Sequence, residues 1–184
     1  MNVISELKIS EEYEIIEQAK EDLKYFKPIY EHYYPDIFRF IFKRMQNENL
    51  TADITSEVFL KATVNLKKYE FRKVPFSAWL YRIAINEVNQ YYRKHKKIQT
   101  CTVDEGQVTE LIDDLKTDKI DLEKEIEKLE VAMAKLSTVD RQLIELRFFE
   151  QKSFKEIGWI LNLKPTNSKI KTYRVLKKLR GLMH

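Results

Sequence analysis

Turn-forming residues are scarce in this chain of 184 residues, which holds only 3 glycines and 4 prolines. Strands joined by tight turns need many such residues, so the shortage favours an all-α protein. The 1 cysteine, Cys101, excludes an internal disulfide, and no group of Cys and His has metal-ligand spacing. No apolar stretch approaches the roughly 20 residues of a membrane span, which argues against stable membrane insertion. The N-terminal MNVISELKISEEYEII lacks the charged-then-apolar order of a signal peptide. No Gly-rich phosphate loop and no carboxylate pair with a nearby His is visible, so neither a cofactor nor a catalytic residue is expected. These absences point to a helical, cytoplasmic protein that is not an enzyme.

What is present is charge, unevenly spread. The net charge is only +4, yet residues 103–130 hold eleven acids against four bases. Residues 164–180 hold seven bases and no acid, and Arg93, Lys94, His95, Lys96 and Lys97 form a second basic cluster. Each basic cluster ends an amphipathic run, the footprint expected of phosphate contacts.

Apolar periodicity reads residues 12–46 as helical, with Tyr30, Tyr33, Tyr34, Ile37, Phe38, Ile41 and Phe42 inward. Pro35 should start a new helix, because it lacks an N–H and clashes with the preceding turn. QNENLT at 46–51 reads as a turn, and Thr51–Leu66 as a helix. YEFRKVPF at 69–76 reads as a loop, since Pro75 biases Val74 away from helix. The next helix runs to Lys97, with Trp79, Leu80, Ile83, Ala84, Val88 and Tyr91 on one face and Arg82, Asn86, Asn89, Gln90 and Arg93 on another. Residues 98–118 lose the period and read as a flexible, acidic linker. An acidic helix over 119–135 follows, then a helix capped near Ser137. Ser153 and Glu156 fit a capping box. A short helix, the turn NLK and a basic helix from Pro165 to about Leu182 make a helix-turn-helix candidate.

These segments carry a resemblance. YYPDIFRFIFKRM, followed by DITSEVFLKATVNLKKYEFRKVPFSAWLYRIAINEVNQYYRKHKK, resembles region 2 of bacterial sigma factors. LEVAMAKLSTVDRQLIELRFFEQKSFKEIGWILNLKPTNSKIKTYRVLKKLR resembles their region 4. In order and spacing the pair is similar to the extracytoplasmic-function (ECF) type of the sigma-70 family. The resemblance implies two small helical domains, a region 2 bundle at 1–97 and a region 4 helix-turn-helix at 119–184, joined by the 98–118 linker. It implies a transcription-initiation subunit, monomeric when free, that binds core RNA polymerase and promoter DNA. It reads the −35 element as duplex and the −10 element as melted strand. An anti-sigma factor is the further partner implied, and it could hold the protein at the membrane. The residues alone leave a second possibility, a helix-turn-helix regulator that acts without being a polymerase subunit.

The resemblance also assigns residues. Asp53, Ile54, Glu57 and Phe59 match its core-binding surface. Asp53 and Glu57 lie one helical turn apart, so their carboxylates face out together. Tyr69, Phe71, Arg72, Lys73 and Val74 fall in its base-capturing loop, and Asn86 at a position where Asn contacts the −10 strand. Arg82, Asn89, Gln90, Arg93, Lys94, Lys96 and Lys97 are neighbouring candidates for strand and phosphate, whereas Phe76 and Trp79 are expected in the core. On the last helix Thr166, Asn167, Lys169, Ile170, Lys171, Tyr173, Arg174 and Lys177 are expected on the DNA side. The family usually places apolar residues where this chain has Ser168 and Thr172. Either the helix packs loosely and reads DNA partly by apolar contact, or its register slips near Pro165.

Overall fold

A computed structural model describes residues 9–95, Leu111 and residues 122–183. The chain divides into two compact units, Met1–Ile98 and Gln99–His184. Every described element is helical, as the scarcity of turn-formers predicts.

In the first unit the elements are α1 (Ile9–Glu21), a 3₁₀ turn (Leu23–Phe26), α2 (Lys27–Met45), α3 (Glu48–Val64), a 3₁₀ turn (Leu66–Lys68) and α4 (Phe76–His95). Helices α2, α3 and α4 pack on one another. Their shared core holds Ile37, Phe40 and Ile41 from α2, Val58 and Ala62 from α3, and Phe76, Leu80, Ala84 and Val88 from α4. Helix α1 adds Ile16 and Ala19. It also buries a carboxylate: Glu12 is 2% exposed. Burial pushes that carboxyl above the usual range, against the opposing pull of its hydrogen bonds with Tyr33 and Phe76.

Three boundaries differ from expectation. Pro35 lies inside α2 rather than at a helix start. It faces solvent, where water can satisfy the carbonyl that loses its N–H partner, and the buried residues on both sides hold the helix across it. The break comes earlier, at Asp22, whose Oδ1 accepts from the Lys24 N–H at 3.0 Å, and Pro28 then sits in the first turn of α2. The turn after α2 takes two residues, not six. Gln46 closes α2 in the left-handed region, with φ 50°, and the Asn47 side chain caps α3 by accepting from the Leu50 N–H at 2.9 Å. Helix α4 begins at Phe76, and Lys96 and Lys97 lie outside the described residues.

The second unit holds α5 (Leu122–Ala134), α6 (Thr138–Ile144), a wide turn (Glu145–Phe149), α7 (Phe154–Ile160) and α8 (Pro165–Met183). Helix α8 packs against α5, α6 and α7. Its buried Val175, Leu176 and Leu179 share the core with Leu129, Met133, Leu143, Ile157 and Ile160. The helix capped at Ser137 gives way after Ile144 to the wide turn, in which the Glu150 N–H reaches the Glu145 carbonyl at 3.0 Å. Most of the span read as a linker lies outside the described residues. Leu111, within it, is helical and fully buried.

Candidate polymerase and nucleic-acid interfaces

On α3 the acid pair is at the surface. Asp53 is exposed and Glu57 half-buried. Glu57 is engaged by Lys61 at 3.3 Å, and Lys61 also reaches Glu87 of α4 at 2.6 Å. The hydrogen bond with Glu87, followed by that with Glu57, raises Lys61 above the ordinary lysine range. Ile54 and Phe59 turn inward, so they hold the helix rather than present themselves to a partner.

Phe59 packs on Tyr30 and Tyr34, with ring centroids 4.8 and 6.0 Å apart. These rings begin a row that the sequence pattern concealed. Tyr30, Tyr34, Phe38 and Phe42 follow one another along α2 at centroid spacings of 5.2, 5.9 and 6.3 Å. Tyr30 and Phe42 are exposed, contrary to the inward reading. Tyr34, Pro35, Phe38, Arg39 and Phe42 line an open apolar hollow of about 500 Å³. A signal was present: Ile29–Tyr30, Tyr33–Tyr34, Ile37–Phe38 and Ile41–Phe42 are adjacent pairs at four-residue steps. One stripe of that pattern is core and the other is surface.

The loop between α3 and α4 splits in the same way. Phe71, Arg72 and Lys73 are exposed, whereas Tyr69 and Val74 are 5% and 3% exposed and lie beneath the loop. Tyr69 packs on Phe76 and Trp79, with centroids 5.0 and 5.1 Å away. Lys73 holds a left-handed backbone, with φ 55°, which is costly for a residue with a Cβ. Arg72 pairs with Glu70.

Helix α4 carries Asn86, exposed, on the wall of a hollow of about 360 Å³. Lys61, Asn65, Lys68, Trp79, Ile83 and Glu87 complete the lining. Trp79, expected in the core, is half-buried and offers a ring there. Further along the helix Gln90, Arg93 and Lys94 are exposed, and Arg82 and Asn89 are half-buried. His95 bonds through Nδ1 to the Tyr91 carbonyl at 2.9 Å. Among the described residues no group of His, Cys, Asp and Glu could hold a metal ion.

In the second unit the predicted capping box forms. The Ser153 Oγ accepts from the Glu156 N–H at 3.2 Å, and Glu156 Oε2 accepts from the Ser153 N–H at 2.9 Å. The turn after α7 passes very close to it. A Cβ on Gly158 would lie 2.8 Å from the Leu163 carbonyl oxygen and 3.3 Å from the Pro165 nitrogen. Pro165 then opens α8, as its missing N–H favours.

The two polar residues on α8 do face inward, and they are satisfied there. The Ser168 hydroxyl donates to the Phe154 carbonyl at 2.6 Å, and the Thr172 hydroxyl to the Ser168 carbonyl at 2.8 Å. Thr166, Asn167, Lys169, Ile170, Lys171, Tyr173, Arg174 and Lys177 are all exposed. Ile170 and Tyr173 are 51% and 55% exposed, so apolar surface sits among the bases of this face.

Two family models match the chain, one within each unit. The family model for Sigma-70 region 2 matches residues 29–98, and that for Sigma-70, region 4, matches residues 126–179. The chain is 27% identical over 154 residues to the ECF RNA polymerase sigma factor SigM of Bacillus subtilis, covering 84% of this chain and 92% of SigM. It is 28% identical over 174 residues to SigW of the same organism, covering 90% of this chain and 92% of SigW. The solved structure of CnrH in complex with the cytosolic domain of CnrY shares the fold. The TM-score is 0.63 at 20% identity, over 93% of this chain and 96% of that one.

Proposed function

Because the chain belongs to the sigma-70 family, as an RNA polymerase sigma factor of the ECF type that directs transcription initiation, we propose that its two units take up two forms of promoter DNA. The first captures the −10 element as a melted strand. The second reads the −35 element as duplex. The observation that carries this proposal is the hollow beside Asn86, with the Trp79 ring and Lys68 in its lining.

Extruding a base costs a few kcal/mol. Stacking on a ring returns roughly 1–3 kcal/mol per base, and lysines beside the hollow attract the flanking phosphates. Phe71 and Arg72 at the loop tip and Asn86 on the wall can hold the base. Gln90, Arg93 and Lys94 continue toward the strand's backbone. On α8 Lys169, Arg174 and Tyr173 face the major groove, with Ile170 placed to meet a thymine methyl. Lys171 and Lys177 serve phosphates.

Core RNA polymerase is the partner for Asp53 and Glu57, whose carboxylates suit basic side chains of an apposed helix. The polymerase supplies the chemistry, and this chain contributes recognition. An anti-sigma factor is the regulatory partner proposed with this reading. No described helix is long and apolar enough to cross a membrane, so retention there would come through that partner.

Run-off transcription with purified core polymerase tests the proposal, on templates selected by the reconstituted holoenzyme from a random library. Promoter-specific transcripts are expected only when this chain is added. Tight duplex binding by the chain alone, with no transcript from any core mixture, would favour the independent regulator instead.

A further inference from the structure

Helix α1 precedes the residues matched to region 2, yet three of its side chains reach the loop between α3 and α4. The first is Glu12. Its Oε2 accepts from the backbone N–H of Phe76 at 2.9 Å, and its Oε1 accepts from the Tyr33 hydroxyl. Phe76 is the first residue of α4, where backbone N–H groups have no intrahelical acceptor. Glu12 thus satisfies the start of α4 from 64 residues away in sequence. A carboxylate also suits the positive end of the helix dipole.

The second is Lys20, two turns further along α1. Its Nζ donates to the Tyr69 carbonyl at 2.9 Å and is steadied by Glu17 at 2.7 Å. Tyr69 is where the chain leaves the 3₁₀ turn Leu66–Lys68. One helix therefore holds both ends of the loop, at Tyr69 and at Phe76. The third is Tyr13, whose ring lies 4.8 Å from that of Phe71, at the loop's exposed tip.

We infer that α1 is the positioning element of the base-capturing loop, with Glu12, Lys20 and Tyr13 fixing its two ends and its tip. The inference rests on the role proposed above for that loop. A buried carboxylate among Ile16 and Ala19 is an expensive way to anchor a helix that aliphatic contacts could hold. Directed at the first N–H of α4 it fixes a backbone position. A loop ordered in advance does not spend binding energy on ordering itself when a base arrives. Tyr13 likewise limits the orientations open to the Phe71 ring. None of the three is assigned a contact with DNA.

The test uses holoenzyme reconstituted from core polymerase and the full chain. The probe is a fluorescent single-stranded oligonucleotide carrying the −10 strand of a selected promoter. Glu12→Ala and Tyr13→Ala are each expected to weaken capture of the strand by about tenfold, a cost of lost preorganisation. Core affinity is expected to stay within about twofold in both, because neither side chain is on the outward face of α3. Tyr13 is exposed, so its removal opens no core. Glu12→Gln is expected to restore most of the capture: its amide oxygen can accept from Phe76 N–H while its amide nitrogen donates to the Tyr33 oxygen. Phe71→Ala and Arg72→Ala separate the two levels of the argument. If they weaken capture while Glu12→Ala and Tyr13→Ala do not, the positioning role of α1 is overturned and the loop keeps its own. If they too leave capture unchanged, the loop is not the base-capturing element and the inference falls with it. Equal losses of strand capture and core affinity in the α1 variants would overturn it as well, marking α1 as general support.

Discussion

The two proposed DNA surfaces are built in opposite ways. In the second unit the surface is one face of one helix, α8, fixed by a proline start, two internal hydroxyl bonds and a row of buried aliphatics. In the first unit it is assembled from a 3₁₀ turn, a loop and parts of α3 and α4, with α1 holding the loop from outside. A single-helix surface fails or survives with its helix. An assembled surface can be altered one piece at a time. That difference orders what substitutions should do.

The largest effect is expected where reading and packing share α8. Leu179 is fully buried on the inner side of that helix, and Leu179→Ala should cost about 2–5 kcal/mol of stability. Denaturant titration of the full chain measures it, with Trp159 as the fluorescence reporter in a Trp79→Phe background. A loss well under this range would mean that α8 is not the centre of its unit. Next comes the turn before α8. Gly158→Ala sets a Cβ against the Leu163 and Pro165 backbone, and should cost roughly 1–3 kcal/mol. Duplex binding should fall with it, because Pro165 must move. Unchanged stability and duplex affinity would show that the close approach is not needed.

Smaller effects test the surface chemistry. Lys177→Ala should weaken duplex binding alike for all sequences and reduce the salt slope by about one ion. A change in base preference would instead make Lys177 a base contact. The smallest concerns pH. The folded-state pKa of Glu12 is raised, so its stabilising contribution is present below the unfolded value and lost as pH rises through the folded one. At neutral pH wild type therefore carries a burial penalty that Glu12→Gln lacks. The Tm of Glu12→Gln relative to wild type should fall as pH drops through the acidic range, by scanning calorimetry at matched ionic strength. A difference independent of pH would contradict the raised pKa.

The same contrast explains what the sequence made legible. Helical class, the capping box and the Pro165 start follow from composition and local spacing, and the eight α8 candidates that the resemblance assigned are all exposed. Periodicity within one element decides exposure there. In the loop, exposure is decided by what lies underneath, so Tyr69 and Val74 turned inward although their neighbours did not. Pro35 stayed inside α2 because packing on both sides outweighs its local cost. The aromatic row was hidden by taking two stripes of α2 for one. Nothing near Glu12 in sequence announces its bond with Phe76, because both partners become neighbours only in the folded unit.

The division of labour between the units is tested most directly by crossing two variants with two probes. Holoenzymes carrying wild type, Asn86→Ala or Arg174→Ala are titrated with a −10 single strand and with a −35 duplex from the same selected promoter. Asn86→Ala is expected to lose the strand and keep the duplex, and Arg174→Ala the reverse, each loss being about 1–3 kcal/mol. Equal losses on both probes for either variant, or a loss on the opposite probe, would contradict the account.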